Sequence, residues 1–457
     1  MTQIDPSIFK SYDIRGVYPT QLDEEVAYKI GRAYGTFIQN ENPGRQLTIV
    51  VGRDMRLSSL SLKEKLVAGL LDQGLNVVEI GLTSTPTMYF ATAFYGYDGG
   101  VEISASHNPK EYNGFKLVRA RAVPISSETG INTIRDLAIA ANFIEPSTKG
   151  ILTEKQDVLT DLVKSEKEEW SINFANIKPL TIVVDAANAM GAIDFEAFFQ
   201  GLPVKLLKYN WELDGHLPSH EPNPLIEENL KVAQEAVVKE KADLGICPDG
   251  DNDRIFFIDE KGEVIRQEIL RGLMAQSVLK DFPGAAVCYD IRPGRITKDL
   301  IEQAGGRAFV VRVGHSHIKE AMLKEGAVFG GESSGHYFYK FSYGTFESPA
   351  VLIWKFLEFI SLQNKPVSQI IAPYRIYFNS GEINSEVKSI PDTLAKIKEK
   401  YNDGELNEID GITLTYPDFW FNVRGSNTEP LIRLTLEAKT KDLMEKKRDE
   451  VLALIRE

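Results

Sequence analysis

Only two cysteines, Cys247 and Cys288, occur in 457 residues, each inside an apolar strand-like stretch. So few thiols exclude a disulfide framework, and both are expected buried and reduced, as suits a reducing compartment. No run of about 18 apolar residues appears, so no membrane span is expected. The N-terminus carries no basic-then-apolar leader, and the protein is expected to be soluble and cytoplasmic. Positive charge is also short: 52 Lys and Arg stand against 65 Asp and Glu, a net charge of −13. Binding nucleic acid or an anionic membrane rests on neutralising phosphates with Lys and Arg, so neither is an expected partner. A phosphorylated substrate would need a locally basic cleft.

What is present is repetition. The length implies about three to four domains. Apolar β-branched runs at Thr48–Val51, Thr181–Val184 and Ala286–Tyr289 each enter a polar loop. Second strands are expected at Val77–Ile80, Val204–Leu207 and Phe309–Val313, and Leu62, Leu66 and Leu70 mark a helix between the first pair. Third strands, at Gly100–Ile103, Ala242–Ile246 and Ala327–Phe329, run into the loops SASHNP, DGDNDR and GESSGH. Three equivalent strand ends in α/β sheets are where ligands bind, so these loops are expected to converge on one cleft. Residues 370–457 break the rhythm. Strands are expected there at Tyr374–Phe378, Glu382–Val387, Ile412–Tyr416 and Leu431–Leu436, with helices near Pro391–Tyr401 and Lys441–Arg456. The expected architecture is α/β: three similar α/β domains at 1–148, 149–252 and 253–367, then a C-terminal α+β domain at 368–457.

The loops differ in chemistry. Ser106 lies in Ser104-Ala-Ser-His107-Asn-Pro109, and Lys116 returns toward the same strand end. A serine hydroxyl needs a base, a metal or neighbouring charge to become a nucleophile. Asp249, Asp251 and Asp253 alternate in the second loop, and three such carboxylates call for a hard cation, Mg²⁺ or Ca²⁺. With Glu260 they fit positions 1, 3, 5 and 12 of an EF-hand, but position 6 holds Arg254 where that loop requires glycine, and the flanks are strand-like. Arg254 is placed to donate to a metal-held phosphate. Glu332, Ser334 and His336 in the third loop suit sugar hydroxyls, while Arg292 and His315 add positive charge at neighbouring strand ends. In the last domain Arg424, Ser426, Asn427 and Thr428 have the composition of a phosphate cradle. His216 and His220 are four apart, but Pro218, Pro222 and Pro224 deny them the helix a zinc pair would need.

Taken in order, these loops, the opening Tyr12-Asp13-Ile14-Arg15-Gly16, Gly52-Arg53-Asp54 and Pro222-Asn223-Pro224 resemble the α-D-phosphohexomutase superfamily, in its phosphomannomutase/phosphoglucomutase branch. The resemblance spans essentially the whole chain. It implies four domains around a central cleft and an intramolecular phosphotransferase that interconverts hexose 6-phosphate and hexose 1-phosphate. It also implies that Ser106 is the phosphoserine and, with Asp249, Asp251 and Asp253, binds one Mg²⁺. Glu332 and Ser334 would read sugar hydroxyls, and Arg424, Ser426, Asn427 and Thr428 would grip the existing phosphate. Tyr12, Arg15, His107, Lys116, Arg254, Arg292, His315 and His336 would line the cleft, with Arg15, Lys116 and His336 as candidate acid/base groups. Hexose 1,6-bisphosphate would be primer and intermediate, and the enzyme a monomer or homodimer. Ser333 stands where that branch commonly has Met, and Glu347-Ser348-Pro349 where many relatives have Asp-Gly. Phosphoglucosamine mutase is an alternative within the superfamily; a Mg²⁺-dependent sugar phosphatase and a non-catalytic phosphosugar-binding protein are alternatives outside it.

Overall fold

The computed structural model describes residues 4–170, 172–292, 294–425 and 431–457. The chain divides into two compact units, 1–265 with 334–368, and 266–333 with 369–457. No helix among the described residues is long and apolar enough to cross a membrane, and both cysteines are free and buried.

In the first unit the leading sheet contains β1 (Ile14–Val17), β2 (Thr48–Arg53), β3 (Asn76–Leu82), β4 (Gly99–Ile103), β5 (Tyr112–Arg119) and β6 (Leu152–Glu154), in the order β1-β5-β4-β2-β3-β6. β2 is parallel to both β3 and β4, and β5 returns antiparallel beside β4. The next sheet repeats this plan with β7 (Leu180–Asp185), β8 (Val204–Tyr209), β9 (Leu244–Pro248) and β10 (Ile255–Asp259), in the order β10-β9-β7-β8. Again the first strand is parallel to the second and third, and the fourth returns antiparallel. In the second unit Ala286–Asp290 lies parallel to both Arg307–Val311 and Phe329–Gly331, a third copy of the core. The repeat read from the sequence is thus a repeat of strand order.

The β-branched runs form strands because both sheet faces are covered, so nearly every position meets apolar neighbours. Leu62, Leu66 and Leu70 lie on one stripe of the helix Ser59–Asp72 and are buried with Ile49, Val51, Val77, Val101 and Ile103. Each such leucine contributes about 1.5–3 kcal/mol of burial. That helix meets Glu24–Glu41 at glycine: a Cβ on Gly31 would lie 2.4 Å from the Leu66 carbonyl oxygen, and one on Gly69 2.3 Å from that of Tyr28.

Residues 369–457 carry an antiparallel sheet in the order Phe378–Glu386, Leu431–Ala438, Phe419–Gly425, Ile412–Thr415, Glu405–Asn407. Ile397, Phe421, Val423, Leu434, Val451 and Ile455 fill its core beneath the helices Ile390–Lys400 and Lys441–Arg456.

Several expectations need correction. The third strands of the second and third copies begin two residues late. Ala242 and Ala327 still close the preceding helices, donating to the Val237 and Met322 carbonyls at 2.9 Å each. The division expected after residue 252 falls inside the β9–β10 hairpin, so the second sheet continues to Asp259. The stretch 334–368 groups with the first unit, so the span 253–367 does not form one compact body. Tyr374–Phe378 is not a strand: Ala372–Tyr374 is a 3₁₀ turn and the strand begins at Phe378. Phe419–Gly425 is a buried strand that the sequence reading did not place.

Candidate active site

The three polar loops occupy one topological position, each leaving the C-terminal end of a third strand. SASHNP joins β4 to β5, DGDNDR joins β9 to β10, and GESSGH follows Phe329–Gly331. In the first unit the first two meet. The Ser106 hydroxyl donates to Asp249 Oδ2 at 2.8 Å and lies 3.1 Å from His107 Nδ1. Ser106 is buried, 1% exposed, with a left-handed φ of 52°. Its N–H donates to Ser104 Oγ at 2.9 Å. The close approach requires glycine at 250, where a Cβ would lie 2.3 Å from the Ser106 carbonyl oxygen.

Lys116 on β5 donates to Asp251 Oδ2 and Asp253 Oδ2, both at 2.5 Å. Thr85, at the start of the helix Thr85–Phe94, also donates to Asp251 Oδ2. Asp249 Oδ1 accepts from the N–H groups of Asp253 and Arg254 at 3.0 and 3.1 Å, which fixes the turn. Oxygens of the three carboxylates lie within 4.8 Å of one another, and Asp251 Oδ1 and Asp253 Oδ1 are buried without a hydrogen-bond partner. Burial, then the Asp253 and Asp251 charges, push the Asp249 carboxyl well above its usual range. Burial also raises Asp251 and Asp253, and the Asp253 charge adds to it at Asp251, but the charge and hydrogen bond of Lys116, joined by Thr85 at Asp251 and by Arg254 and Arg15 at Asp253, together leave both lowered. Crowded carboxylates with unpartnered buried oxygens form an acidic triad suited to a hard divalent cation.

Around this centre Arg15 donates to Asp13 Oδ2 at 2.8 Å and to Asn108 Oδ1 at 2.6 Å. Burial works against the Arg15 and Lys116 cations, but facing aspartates outweigh it and raise both pKa values. His107 goes the other way: burial, then Arg254 and Arg15, hold its ring neutral. Arg254 Nε–H donates to His336 Nε2 at 3.1 Å. An Nε–H can only donate, so the His336 proton sits on Nδ1, 3.5 Å from Asp253 Oδ1 and 3.8 Å from Glu347 Oε1. Tyr12 is half-buried just before β1, and Ser334 is buried with its Oγ unpartnered.

The second unit holds the other expected residues. Arg292 bridges Asp290 at 2.5 Å and Glu332 at 2.9 Å, and the Gly314 N–H donates to Glu332 Oε1 at 3.0 Å, just before His315 opens a helix. Ser333 donates through N–H and Oγ to Asp290 Oδ1 at 3.0 and 2.9 Å, so this hydroxyl locks the loop to the strand end. Arg424, at the end of Phe419–Gly425, is buried and paired with Glu382 Oε2 at 2.5 Å. Ser426, Asn427 and Thr428 lie outside the described residues.

The sequence reading missed Arg56, Thr85, Glu347 as a neighbour of His336, and Arg271, fully buried and 2.5 Å from Asp290. None has a periodic or motif signal. Arg56, two residues beyond Gly52-Arg53-Asp54, lay close to one, and Glu347 stood out only as a departure from the family pattern.

A serine hydroxyl bonded to one member of a carboxylate triad, with fixed cations beside it, on repeated α/β sheets, defines a phosphoryl-transfer enzyme. The phosphoglucomutase/phosphomannomutase alpha/beta/alpha domains I, II and III match residues 6–144, 160–262 and 268–377, and the family's C-terminal domain matches 382–454. A phosphomannomutase of Escherichia coli is 39% identical over 470 residues, covering 100% of both chains. One from Vibrio cholerae is 40% identical, covering 98% of each. A crystal structure of a phosphoglucomutase/phosphomannomutase family protein from Burkholderia thailandensis superimposes with a TM-score of 0.89 at 31% identity, covering 99% of this chain and 97% of that one. The chain belongs to the phosphoglucomutase/phosphomannomutase family and is a phosphohexomutase with four domains.

Proposed function

We propose that this phosphohexomutase interconverts the 6- and 1-phosphates of mannose and glucose through a phosphoserine at Ser106 and a hexose 1,6-bisphosphate. The observation that carries the reading is the 2.8 Å bond from Ser106 Oγ to Asp249, beside the unpartnered oxygens of Asp251 and Asp253. Asp249, Asp251, Asp253 and the serine oxygen would hold one Mg²⁺, which when bound would offset negative charge on the transferring phosphoryl oxygens. Arg424, with Ser426, Asn427 and Thr428, grips the phosphate already on the sugar. The free hydroxyl at the sugar's other end then attacks phosphorus: an O–P bond forms, the Ser106 Oγ–P bond breaks, and the hydroxyl proton leaves. The bisphosphate turns end for end and returns its original phosphate to Ser106, releasing the isomeric monophosphate. Arg15 and Lys116, held charged, donate to phosphoryl oxygens through both transfers. His107 Nδ1, 3.1 Å from Oγ, orients the serine oxygen, and the hydroxyl proton passes to one of the acid/base candidates Arg15, Lys116 and His336. Arg254 and His336 bind as a pair, one fixing the other's tautomer. Glu332 and Ser334 read the 3- and 4-hydroxyls, which glucose and mannose share, so both epimers are accepted. Tyr12, Arg292 and His315 complete the sugar's surroundings. Two reduced thiols suit a cytoplasmic enzyme.

Ser106→Ala is expected to lose mutase flux by at least about 10³-fold while still binding hexose phosphate. Flux within tenfold of wild type would end the phosphoserine mechanism. The Ser106 peptide should carry an acid-stable phosphate; an acyl phosphate released by hydroxylamine would favour a phosphatase. Parallel turnover of mannose, glucose and glucosamine 1-phosphates separates this reading from a phosphoglucosamine mutase.

A further inference from the structure

We infer that Arg56 is the positioning residue that holds the nucleophilic loop in its reactive shape, an inference that rests on Ser106 being the phosphate carrier. Its side chain is 0% exposed and lies just past the end of β2. One guanidinium collects four carbonyls from a single seven-residue span. Nη2 donates to the carbonyls of Ser106 and Asn108 at 2.8 and 2.6 Å. Nη1 donates to those of Pro109 and Tyr112 at 2.7 and 3.0 Å. Nε faces Asp54 Oδ2 at 3.3 Å, and Asp54 Oδ1 in turn accepts from the Arg56 N–H at 3.0 Å. The Asp54 N–H reaches the Ile103 carbonyl at 3.0 Å, so the clamp is riveted to the strand from which the Ser106 loop departs.

The loop needs such a clamp. Ser106 is a non-glycine residue at φ 52°, a conformation that costs on the order of 1 kcal/mol or more and persists only where its surroundings impose it. Its carbonyl is fixed between Arg56 Nη2 on one side and the close approach of Gly250 on the other. With that peptide pinned, Oγ points at Asp249. Four backbone carbonyls drawn to one buried cation also leave none of them facing the incoming phosphate. A planar guanidinium is the side chain suited to this, since a lysine ammonium offers three donors from one point and cannot span four acceptors. Burial pulls the Arg56 pKa down, and Asp54 is the counter-charge that answers it. Its hydrogen bonds go to the loop carbonyls and its ion pair to Asp54, so the role assigned to Arg56 is positional.

The test uses the full-length enzyme with Mg²⁺ and glucose 1,6-bisphosphate. Arg56→Lys keeps a buried cation beside Asp54, and Arg56→Ala opens a slot that free guanidinium fits. The expected result is a kcat at least 100-fold below wild type in both, with KM within threefold. Millimolar guanidinium should restore Arg56→Ala at least tenfold, and methylammonium should not. An Arg56→Lys enzyme with kcat within threefold of wild type would overturn the inference. So would an Arg56→Ala enzyme that circular dichroism shows to be folded and that guanidinium leaves unchanged. Should Arg56→Ala fail to fold, Arg56→Lys alone decides on its kcat and KM. The phosphate content of wild-type Ser106 is measured separately: its absence would overturn the phosphoserine reading, whatever the Arg56 variants do.

Discussion

At the scale of single residues, buried charges brace the strand-end loops. Arg56 and Arg271 are among the largest fully buried side chains, and each is anchored by an aspartate near a strand end: Asp54 for one, Asp290 for the other. A third brace uses histidine. His220 Nδ1 faces the Glu221 carbonyl at 2.8 Å and Nε2 faces Asp185 Oδ2 at 3.0 Å. Both ring nitrogens meet acceptors, an arrangement that favours the doubly protonated imidazolium. Burial pulls the pKa down, but the hydrogen bond and charge of Asp185 together with the Glu221 carbonyl raise it above the ordinary value. A raised histidine pKa stabilises the fold fully below the unfolded value, about 6.5, and that stabilisation is lost as pH climbs through the folded value. Pro222, two residues on, packs against Gly250, whose added Cβ would lie 3.1 Å from Pro222 Cγ. Hydrogen exchange across 210–224 should therefore quicken as pH rises above about 6.5, beyond its intrinsic pH dependence. In His220→Gln that extra change should vanish. Equal slopes in the two proteins would show that this pair does not hold the segment.

At the scale of elements, the candidate site residues lie in connections that follow third strands. The sequence displayed them because each abuts an apolar β-branched run and because alternate aspartates are rare without a cation to neutralise them. The contact between the connections was not legible: it depends on Gly250 lying against the Ser106 carbonyl, a meeting of residues far apart in the chain. Arg56 was hidden for the same reason, since a lone arginine after a strand looks solvated until the loop closes over it. Strand starts at 244 and 329 were misjudged because Ala242 and Ala327 are apolar yet serve as helix exits. Phe419–Gly425 was missed although its burial is continuous; a strand covered on both faces lacks the alternation that marks a half-exposed one. Gly250→Ala isolates the loop contact. The added methyl must push the aspartate loop off the serine loop, and a displacement near 1 Å costs about 10²-fold in rate. Steady-state kinetics should show that loss in kcat, with hydrogen exchange of β7 and β9 unchanged. An unaltered kcat would mean that the two loops can separate without harm.

At the scale of the molecule, the second compact unit joins part of the third domain to the C-terminal one through polar contacts. Arg295 donates to the Pro417 and Tyr416 carbonyls at 2.9 and 2.6 Å, Tyr377 to Asp299 at 2.6 Å, and Asn379 to Glu268 at 3.1 Å. Beside them Glu437 is 1% exposed and accepts from Trp420 Nε1 at 3.0 Å. Burial lifts its carboxyl to about 7, with Glu268 adding to the rise and Trp420 and Arg295 opposing it. For a carboxyl raised in this way the folded form keeps a proton that the unfolded form has shed. Stability therefore falls as pH rises from about 4.5 to about 7 and stays low above that. The full cost is on the order of 3 kcal/mol. Glu437→Gln keeps an oxygen for Trp420 and removes the ionisation. Its protection of Phe419–Gly425 and Leu431–Ala438 in hydrogen exchange should exceed wild type at pH 8 and match it near pH 4.5. The gain belongs to the joint, so kcat at saturating substrate tells whether the joint must loosen in turnover. A slower but more stable Glu437→Gln enzyme would mean that the buried acid is kept for motion. Equal protection in both proteins at pH 8 would mean that Glu437 ionises in the folded state without cost.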